Sequence, residues 1–429
     1  MSKQLLVISY YWPPGSGPGV QRWLKFVKHL HLQGYKCTVL TVKNGSYPSM
    51  DASLSNEIPH NCLVIKTPTW EPFKLFNLLQ GKKGKSLPVA MADLKGKQTL
   101  FKKLANFIRA NCFVPDARIG WNWFAFRKAA QWIQQNPNCI VVTTGPPHSS
   151  HLIGLKLKQK FNVFWLADFR DPWTEISYNS ILLRTKKSIE KDKKLESSVL
   201  QQADKVLVVS EEMKRSFAAS QKHIEVLPNG FDQSDFEELR TIARNKQFTI
   251  AYIGNFKPNQ NIKTIWESLQ KMKSNGFNFT LQIVGNLSQL IEESLTNFDL
   301  LDCLEKIPFV HHKKAIQYMQ KADLLLLPIP KVSKNLGILT GKIYEYLASR
   351  TPILAIGPAQ GDAAKLLHNL KREPIIDYHQ KHQMYNRFML HYDHWTNKEK
   401  NKIKTDEHII YNRENLTKEL LKIVHEKQD

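Results

Sequence analysis

Thr340, Gly341 and Lys342, followed three residues later by Glu345, are the residues of this chain whose types and spacing best suit chemistry. They come just after the apolar run Asp323-Leu324-Leu325-Leu326-Leu327-Pro328, which reads as a buried parallel strand. Arg350-Thr351-Pro352-Ile353-Leu354-Ala355 follows, so the order is strand, Gly-containing loop, amphipathic helix, strand. A Thr-Gly-Lys at a helix start offers free backbone N–H groups and a cation where a phosphate would sit. One turn later the Glu345 carboxylate suits the two hydroxyls of a ribose. Together these outline a nucleoside diphosphate site. An ordinary βα unit with a Gly in its loop and a surface Glu on its helix accounts for the same residues.

Other unusual residues also follow predicted strands. Gly15, Gly17 and Gly19 lie between the first strand and the first helix, where a glycine-rich backbone can approach a phosphate or an acceptor. Pro18 and the spacing separate this loop from the dinucleotide pattern of glycines. Thr143-Thr144-Gly145-Pro146-Pro147-His148 offers His148 for sugar hydroxyls or for a proton. In Asp168-Phe169-Arg170-Asp171 two acids flank an arginine, a set able to bind an acceptor or to form a structural ion-pair network. Gly254, Asn255 and Lys257 close one strand and Gly285 another; Lys257 is placed to meet a phosphate or simply to face water.

The elements that must position these residues read as two α/β halves. Strands are predicted at Leu5–Ile8, Cys37–Val42, Ile140–Val142, Val163–Leu166 and Val206–Val209, with helical patterns between them. After the short strand Ile224–Leu227 and a polar stretch, the pattern restarts at Phe248–Gly254, with a helix from about Ile262 and a strand at Phe279–Gly285. This alternation predicts doubly wound parallel sheets in two Rossmann-like domains facing across a cleft. The expected divisions are 1–232, 233–405 and a terminal helix in 406–429 able to pack back on the first domain. A chain of 429 residues with 42% hydrophobic content supports two cores.

The net charge is +23, and residues 1–130 hold 19 Lys/Arg against 5 Asp/Glu. Such an excess favours an anionic partner. Between Phe73 and Lys128 the bases Lys82, Lys83, Lys85, Lys95, Lys97, Lys102, Lys103 and Arg109 interleave with Phe76, Phe101, Phe107, Phe113, Trp121 and Trp123. That mixture suits an anionic membrane surface, single-stranded nucleic acid, or a solvated basic face. Two Rossmann-like halves do not fit a nucleic-acid binder. The five cysteines have no metal-ligand or disulfide spacing, the first residues are too quickly polar for a signal peptide, and no apolar run spans a bilayer. A cytoplasmic chain is the expectation.

Taken together, Tyr10-Tyr11-Trp12-Pro13-Pro14, Thr144–His148, Asp168–Trp173, Val226–Asp232, Tyr252–Asn255, Ala322–Pro328 and Gly341–Ala348 resemble the GT-B nucleotide-sugar glycosyltransferases, in particular the retaining family four and its bacterial surface-polysaccharide members. The resemblance covers nearly the whole chain. It implies an N-terminal acceptor domain, a C-terminal donor domain and transfer with retention to a glycan or lipid-linked acceptor. It implies a nucleotide-diphosphate sugar as substrate, no cofactor, no metal, and a peripheral place on the inner face of the cell membrane. An epimerase on the same fold and a non-catalytic glycan- or nucleotide-binding protein are the alternatives. Glu345 matches the ribose-binding second Glu of the family's E-x7-E motif, whereas the first Glu is replaced by Gly337. The basic pair that clamps the diphosphate falls on Asn255 and Gln260, so Lys257 and Lys342 are expected to substitute. The resulting assignment has His148, Asp168 and Lys342 as catalytic, Gly254, Asn255, Lys257, Gly285, Thr340, Gly341, Lys342 and Glu345 as donor-binding, Gly15, Gly17 and Gly19 as the phosphate or acceptor loop, and Arg170 and Asp171 on the acceptor side.

Overall fold

A computed structural model of the chain describes residues 3–47, 49–70, 100–176, 182–221, 223–236, 245–398 and 406–426, the side chains of 100–103 and 105 excepted. Lys82, Lys83, Lys85, Lys95, Lys97 and Phe76 of the basic, aromatic stretch lie outside the described residues, as do the side chains of Phe101, Lys102 and Lys103. Two compact units form, one from Met1–Pro228 with Thr417–Asp429 and one from Asn229–Leu416.

The first unit is built on a seven-stranded sheet of order β3-β2-β1-β4-β5-β6-β7. Its strands are β1 Gln4–Ile8, β2 Lys36–Val42, β3 Leu63–Thr67, β4 Ile140–Gly145, β5 Phe164–Phe169, β6 Lys205–Val208 and β7 Ile224–Val226. All neighbours run parallel, with Leu6 opposite Thr38 on one side and Val141 on the other. Continuous apolar runs form these strands because helices cover both faces, and Leu6, Val7, Val141 and Leu166 are fully buried. The terminal residues return to this unit. Leu420 and Val424 are buried, and the Tyr35 hydroxyl lies 2.5 Å from Nε2 of His425.

The second unit holds a five-stranded parallel sheet of order β10-β9-β8-β11-β12. Its strands are β8 Phe248–Ile253, β9 Phe279–Val284, β10 Leu304–Ile307, β11 Leu324–Pro328 and β12 Ile353–Ile356. Two cores lie on its faces, one around Ile343, Tyr346 and Leu367, the other around Trp266, Leu269 and Phe388. The ends of the unit are joined: Phe231 N–H donates to the Tyr411 carbonyl (3.2 Å), and Arg413 N–H donates to the Phe231 carbonyl (2.8 Å).

Two strands, β3 and β10, have no counterpart in the sequence reading. Both are sheet edges, and both are largely exposed or half-buried. An edge strand covered on one face loses the continuous apolar run that marks a central one.

Candidate functional site

In the second sheet the strand order reverses between β8 and β11, and ligands of open α/β sheets bind beyond the carboxyl ends at such a reversal. Two glycines mark the ends of β8 and β9. Gly254 has φ +117° and Gly285 φ +120°, a region that side chains rarely tolerate. Space makes the same demand. A Cβ on Gly285 would sit 2.7 Å from the Gly254 carbonyl oxygen, and one on Gly254 would sit 2.6 Å from Cε of Lys342. The backbone is pared back where the Lys342 side chain crosses it.

Lys342 stands in the first turn of the helix Gly341–Ser349. The N-cap Thr340 makes no side-chain cap bond and no acid lies in the first turn. The Thr340 hydroxyl is itself buried without a partner. The helix therefore leaves its first N–H groups and the positive end of its dipole unanswered by its own side chains. Nζ of Lys342 is 2.5 Å from the Tyr252 hydroxyl and 4.0 Å from the centre of that ring. Burial pushes the Lys342 ammonium down to about 7, the neighbouring Lys257 adds to the depression, and Glu345 opposes it. Lys257 is itself exposed, and its charge disfavours the Lys342 ammonium, an opposition that an anion would relieve.

Glu345, one turn on, is 17% exposed, and its Oε1 lies 2.9 Å from Nε2 of His312. Nδ1 of His312 lies 3.8 Å from the Asp235 carboxylate. Burial raises the Glu345 carboxyl, but the His312 hydrogen bond and charge, with Arg413 and Lys342, bring it below its ordinary range. Burial lowers His312, and Glu345 and Asp235 more than reverse this. At neutral pH the carboxylate is charged, with one oxygen held by His312.

The departures from the clamp pattern have a structural reason at one position. Gln260 is 6% exposed. Its Oε1 accepts from Lys257 N–H at 3.1 Å and lies 3.1 Å from the Tyr252 hydroxyl, while Nε2 donates to the Pro328 carbonyl at 2.8 Å. It fastens the end of β8 to the end of β11 and orients the tyrosine that meets Lys342. Asn255 accepts from Nδ2 of Asn286 (3.0 Å) and carries no charge. His312 and Asp235 were not singled out from sequence, and Gln260 only as a departure from the basic clamp. His312 is 33 residues from Glu345, and the only available signal was its place at the start of a basic amphipathic helix, His312–Lys321.

In the first unit Asp168 lies at the end of β5. It is completely buried. Its Oδ1 accepts from Nη2 of Arg22 (2.7 Å), and its Oδ2 from the Trp23 indole (2.7 Å) and the Thr144 hydroxyl (2.8 Å). These bonds tie β5 to the first helix, Pro18–Leu32, and to β4. Arg170 also points inward, donating to the Thr144 hydroxyl (3.0 Å) and to the Pro146 carbonyl. Gly19 makes room for it, since a Cβ there would strike its guanidinium. Gly17 (φ +108°) is the N-cap of that helix, and Gly15 pairs with Met50. Asp171 is exposed beside Arg170.

His148 is 5% exposed and stacks on Trp173 with ring centres 5.3 Å apart. Its ring nitrogens are buried, and their nearest polar neighbour is the backbone of Pro172. Burial, His151 and Arg170 hold its pKa well below the ordinary value, and burial and Arg170 push His151 down to about 3. Both rings are neutral at pH 7; Nδ1 of His151 lies 2.8 Å from the Thr143 hydroxyl, and its Nε2 is buried without a partner. A cavity of about 470 Å³ opens near the ends of β1, β2 and β3, lined among others by Pro13, Pro14, Lys43, Tyr47, Met50 and Lys66. Among the described residues no group of three or more His, Cys, Asp or Glu is placed to hold a metal ion, and no helix is long and apolar enough to cross a membrane.

Comparisons with known proteins bear on the fold. Residues 235–381 match the family model for glycosyl transferases group 1, and residues 94–235 match that for glycosyltransferase family 4. A search of curated proteins finds no significant sequence match. Among solved structures the chain is similar to sucrose-phosphate synthase from Thermosynechococcus elongatus, at 14% identity and TM-score 0.65 over 98% of each chain. It is similar to HepE from Anabaena, solved in complex with UDP and glucose, at 12% identity and TM-score 0.60 over 99% of each chain. It is also similar to the lipopolysaccharide outer core galactosyltransferase WaaB, at 13% identity and TM-score 0.57 over 99% of this chain and all of that one.

Proposed function

The chain belongs to the GT-B glycosyltransferases, and from that premise we propose that its second unit takes a nucleoside diphosphate sugar and that it passes the sugar, with retention and without a metal, to a glycan or lipid-linked acceptor. The observation that carries the reading is the Lys342 side chain lying over Gly254 at an uncapped helix start, with Lys257 and Glu345 beside it. HepE, of the same fold, is solved with UDP and glucose, which supports the substrate class.

In this reading the ribose hydroxyls bond the free oxygen of Glu345, and the diphosphate meets the N–H groups of Gly341 and Lys342 and the two ammonium groups. Charge grows on the diphosphate as the glycosidic bond breaks, so these groups act most strongly on the transition state. His312 positions Glu345. Asp168 acts through Arg22, Trp23 and Thr144 and is a positioning residue. His148 and the cavity beside Lys43 and Lys66 are proposed for the acceptor side, with Arg170 holding the loop that carries His148. The acceptor reaction is placed at the inner, anionic face of the cell membrane in surface-polysaccharide or glycoconjugate synthesis, which the basic excess of residues 1–130 supports.

A thermal-shift panel of UDP, GDP, ADP and dTDP tests the donor class, since a ligand at 100 times its Kd adds about 2.7 kcal/mol. With the nucleotide so found, Glu345→Ala is expected to weaken binding by about 1.5–3 kcal/mol, the range for a hydrogen bond to a charged group. Unchanged affinity by calorimetry would remove Glu345 from the ribose. Donor turnover without any acceptor, giving an isomerised sugar, would replace transfer by epimerisation; binding with no turnover would leave a non-catalytic binder.

A further inference from the structure

We propose that Tyr252 and Gln260 are positioning residues for the Lys342 ammonium: the phenol holds the cation where the diphosphate lands, and the amide holds the phenol. The inference rests on the donor reading above and names the groups that aim its cation. A lysine head on a flexible four-carbon stem has no direction of its own and must be given one by what it touches. Here Nζ lies 2.5 Å from the Tyr252 hydroxyl and 4.0 Å from the ring centre. A Cβ on Gly254 would come 2.8 Å from the same Nζ, so the phenol and the bare backbone define the place of the ammonium between them.

The kind of partner is the telling feature. A cation taken out of water usually meets a carboxylate, which cancels its charge. Lys342 has Glu345 one turn along its own helix, yet Oε1 of Glu345 lies 2.9 Å from Nε2 of His312, and the ammonium meets a phenol. Burial raises the phenol above its ordinary pKa, so it stays protonated and neutral. A neutral oxygen fixes a cation without cancelling its charge, which remains for an incoming anion.

The hydroxyl can play this part because its own proton is engaged elsewhere. It donates to the Asn255 carbonyl (2.9 Å), with Oε1 of Gln260 3.1 Å away, and its lone pairs are left for Nζ. The ring is fully buried and stacks on Phe256, with centres 4.0 Å apart and planes 16° from parallel. The Gln260 amide is oriented at both ends. Its Nε2 donates to the Pro328 carbonyl (2.8 Å), and its Oε1 accepts from Lys257 N–H (3.1 Å). A reversed amide would set Nε2 against that N–H and Oε1 against that carbonyl, so the oxygen faces the phenol.

The test is affinity against pH, read by calorimetry on the full chain with whichever of UDP, GDP, ADP and dTDP gives the largest thermal shift. Lys257 and Glu345 also act on the Lys342 charge, and both stay in place in every variant. Tyr252→Phe removes one oxygen and keeps the ring stack. Without that oxygen the ammonium is disfavoured against the amine. The onset of the alkaline fall in affinity, at about 7 in the wild type, should therefore move down by about one pH unit, and binding above pH 7 should weaken about tenfold, the size expected when a hydrogen bond to a charged group is lost. Gln260→Leu should move the onset the same way by less. Tyr252→Phe with Gln260→Leu should move it no further than Tyr252→Phe alone, since the amide acts through the phenol. A tyrosine that only fills the core would leave the onset unmoved, whatever its loss did to melting. Should Tyr252→Phe fail to fold, Gln260→Leu carries the same comparison. An unmoved onset in a folded variant overturns the inference and leaves the donor reading standing. Binding of none of the four diphosphates by the wild type overturns both.

Discussion

Replacing Lys342 by methionine should lower kcat/KM for sugar transfer by about 10²–10³ or more, with both kcat and donor affinity falling, the pattern for a group whose charge meets the bound diphosphate and acts most strongly when the leaving diphosphate forms. The same variant should be more thermally stable than the wild type below pH 7. The sign follows from burial. The ammonium is held down to about 7 against 10.5 in the unfolded chain, so between those values the unfolded state carries more protons and stability rises with pH. Below pH 7 both states are charged and the folded protein bears the full penalty of the confined cation, which methionine removes. Diphosphate binding relieves that penalty too, by drawing the proton onto Lys342. Above pH 7 the donor should therefore bind with proton uptake, its affinity falling about tenfold per pH unit until the pKa of the bound state is reached. Calorimetry in buffers of differing ionisation enthalpy measures the uptake. A donor affinity flat from pH 7 to the alkaline limit, or a methionine variant with full kcat, would take Lys342 out of the site.

Asp168→Ala should destabilise the first unit by about 3–5 kcal/mol, the usual result of removing one partner of a buried ion pair. Arg22 is 1% exposed and would lose the carboxylate it pairs with at 2.7 Å while keeping its hydrogen bonds to the Leu227 and Pro228 carbonyls. The pair also predicts an acid limit. Burial raises the Asp168 carboxyl, but Arg22, with the Trp23 indole and Arg170, holds it below 3.8. Its contribution to stability is therefore complete above that value and is lost as pH falls through the lower folded one. Chemical denaturation monitored by fluorescence reads both effects. Asp168→Ala that folds as stably as the wild type yet abolishes transfer would restore a direct part in the reaction.

The contrast between Glu345 and Asp168 marks how far the site was legible before the fold was known. Glu345 and Lys342 sit three residues apart on one short helix, so the strand-loop-helix order already placed them at a strand end. Asp168 also follows a strand, but the residues that determine its role, Arg22 and Trp23, are 146 and 145 positions away. Local spacing reveals that an acid is at a strand end, not that its oxygens are already taken. Gln260 misled for a related reason. A neutral residue at an expected basic position looks like a lost function, whereas its three hydrogen bonds show a structural use. The central strands were readable because both faces are covered and the apolar runs are unbroken. The edge strands β3 and β10 were not, since half of each faces water and their pairing is decided by a neighbour rather than by their own pattern.

The return of residues 417 onward to the first unit, with the two ends of the second unit joined through Phe231, Tyr411 and Arg413, makes the second unit an insertion within the first. Synthesis runs from the amino terminus. The ribosome therefore releases every residue of the inserted unit before it releases the segment carrying Leu420, Val424 and His425. The first unit begins first and finishes last, with the apolar surface around Tyr35 awaiting its cover while the inserted sheet is already free to form. A nascent chain paused near residue 416 is then half a protein of an unusual kind: its later half is complete, and its earlier half is not.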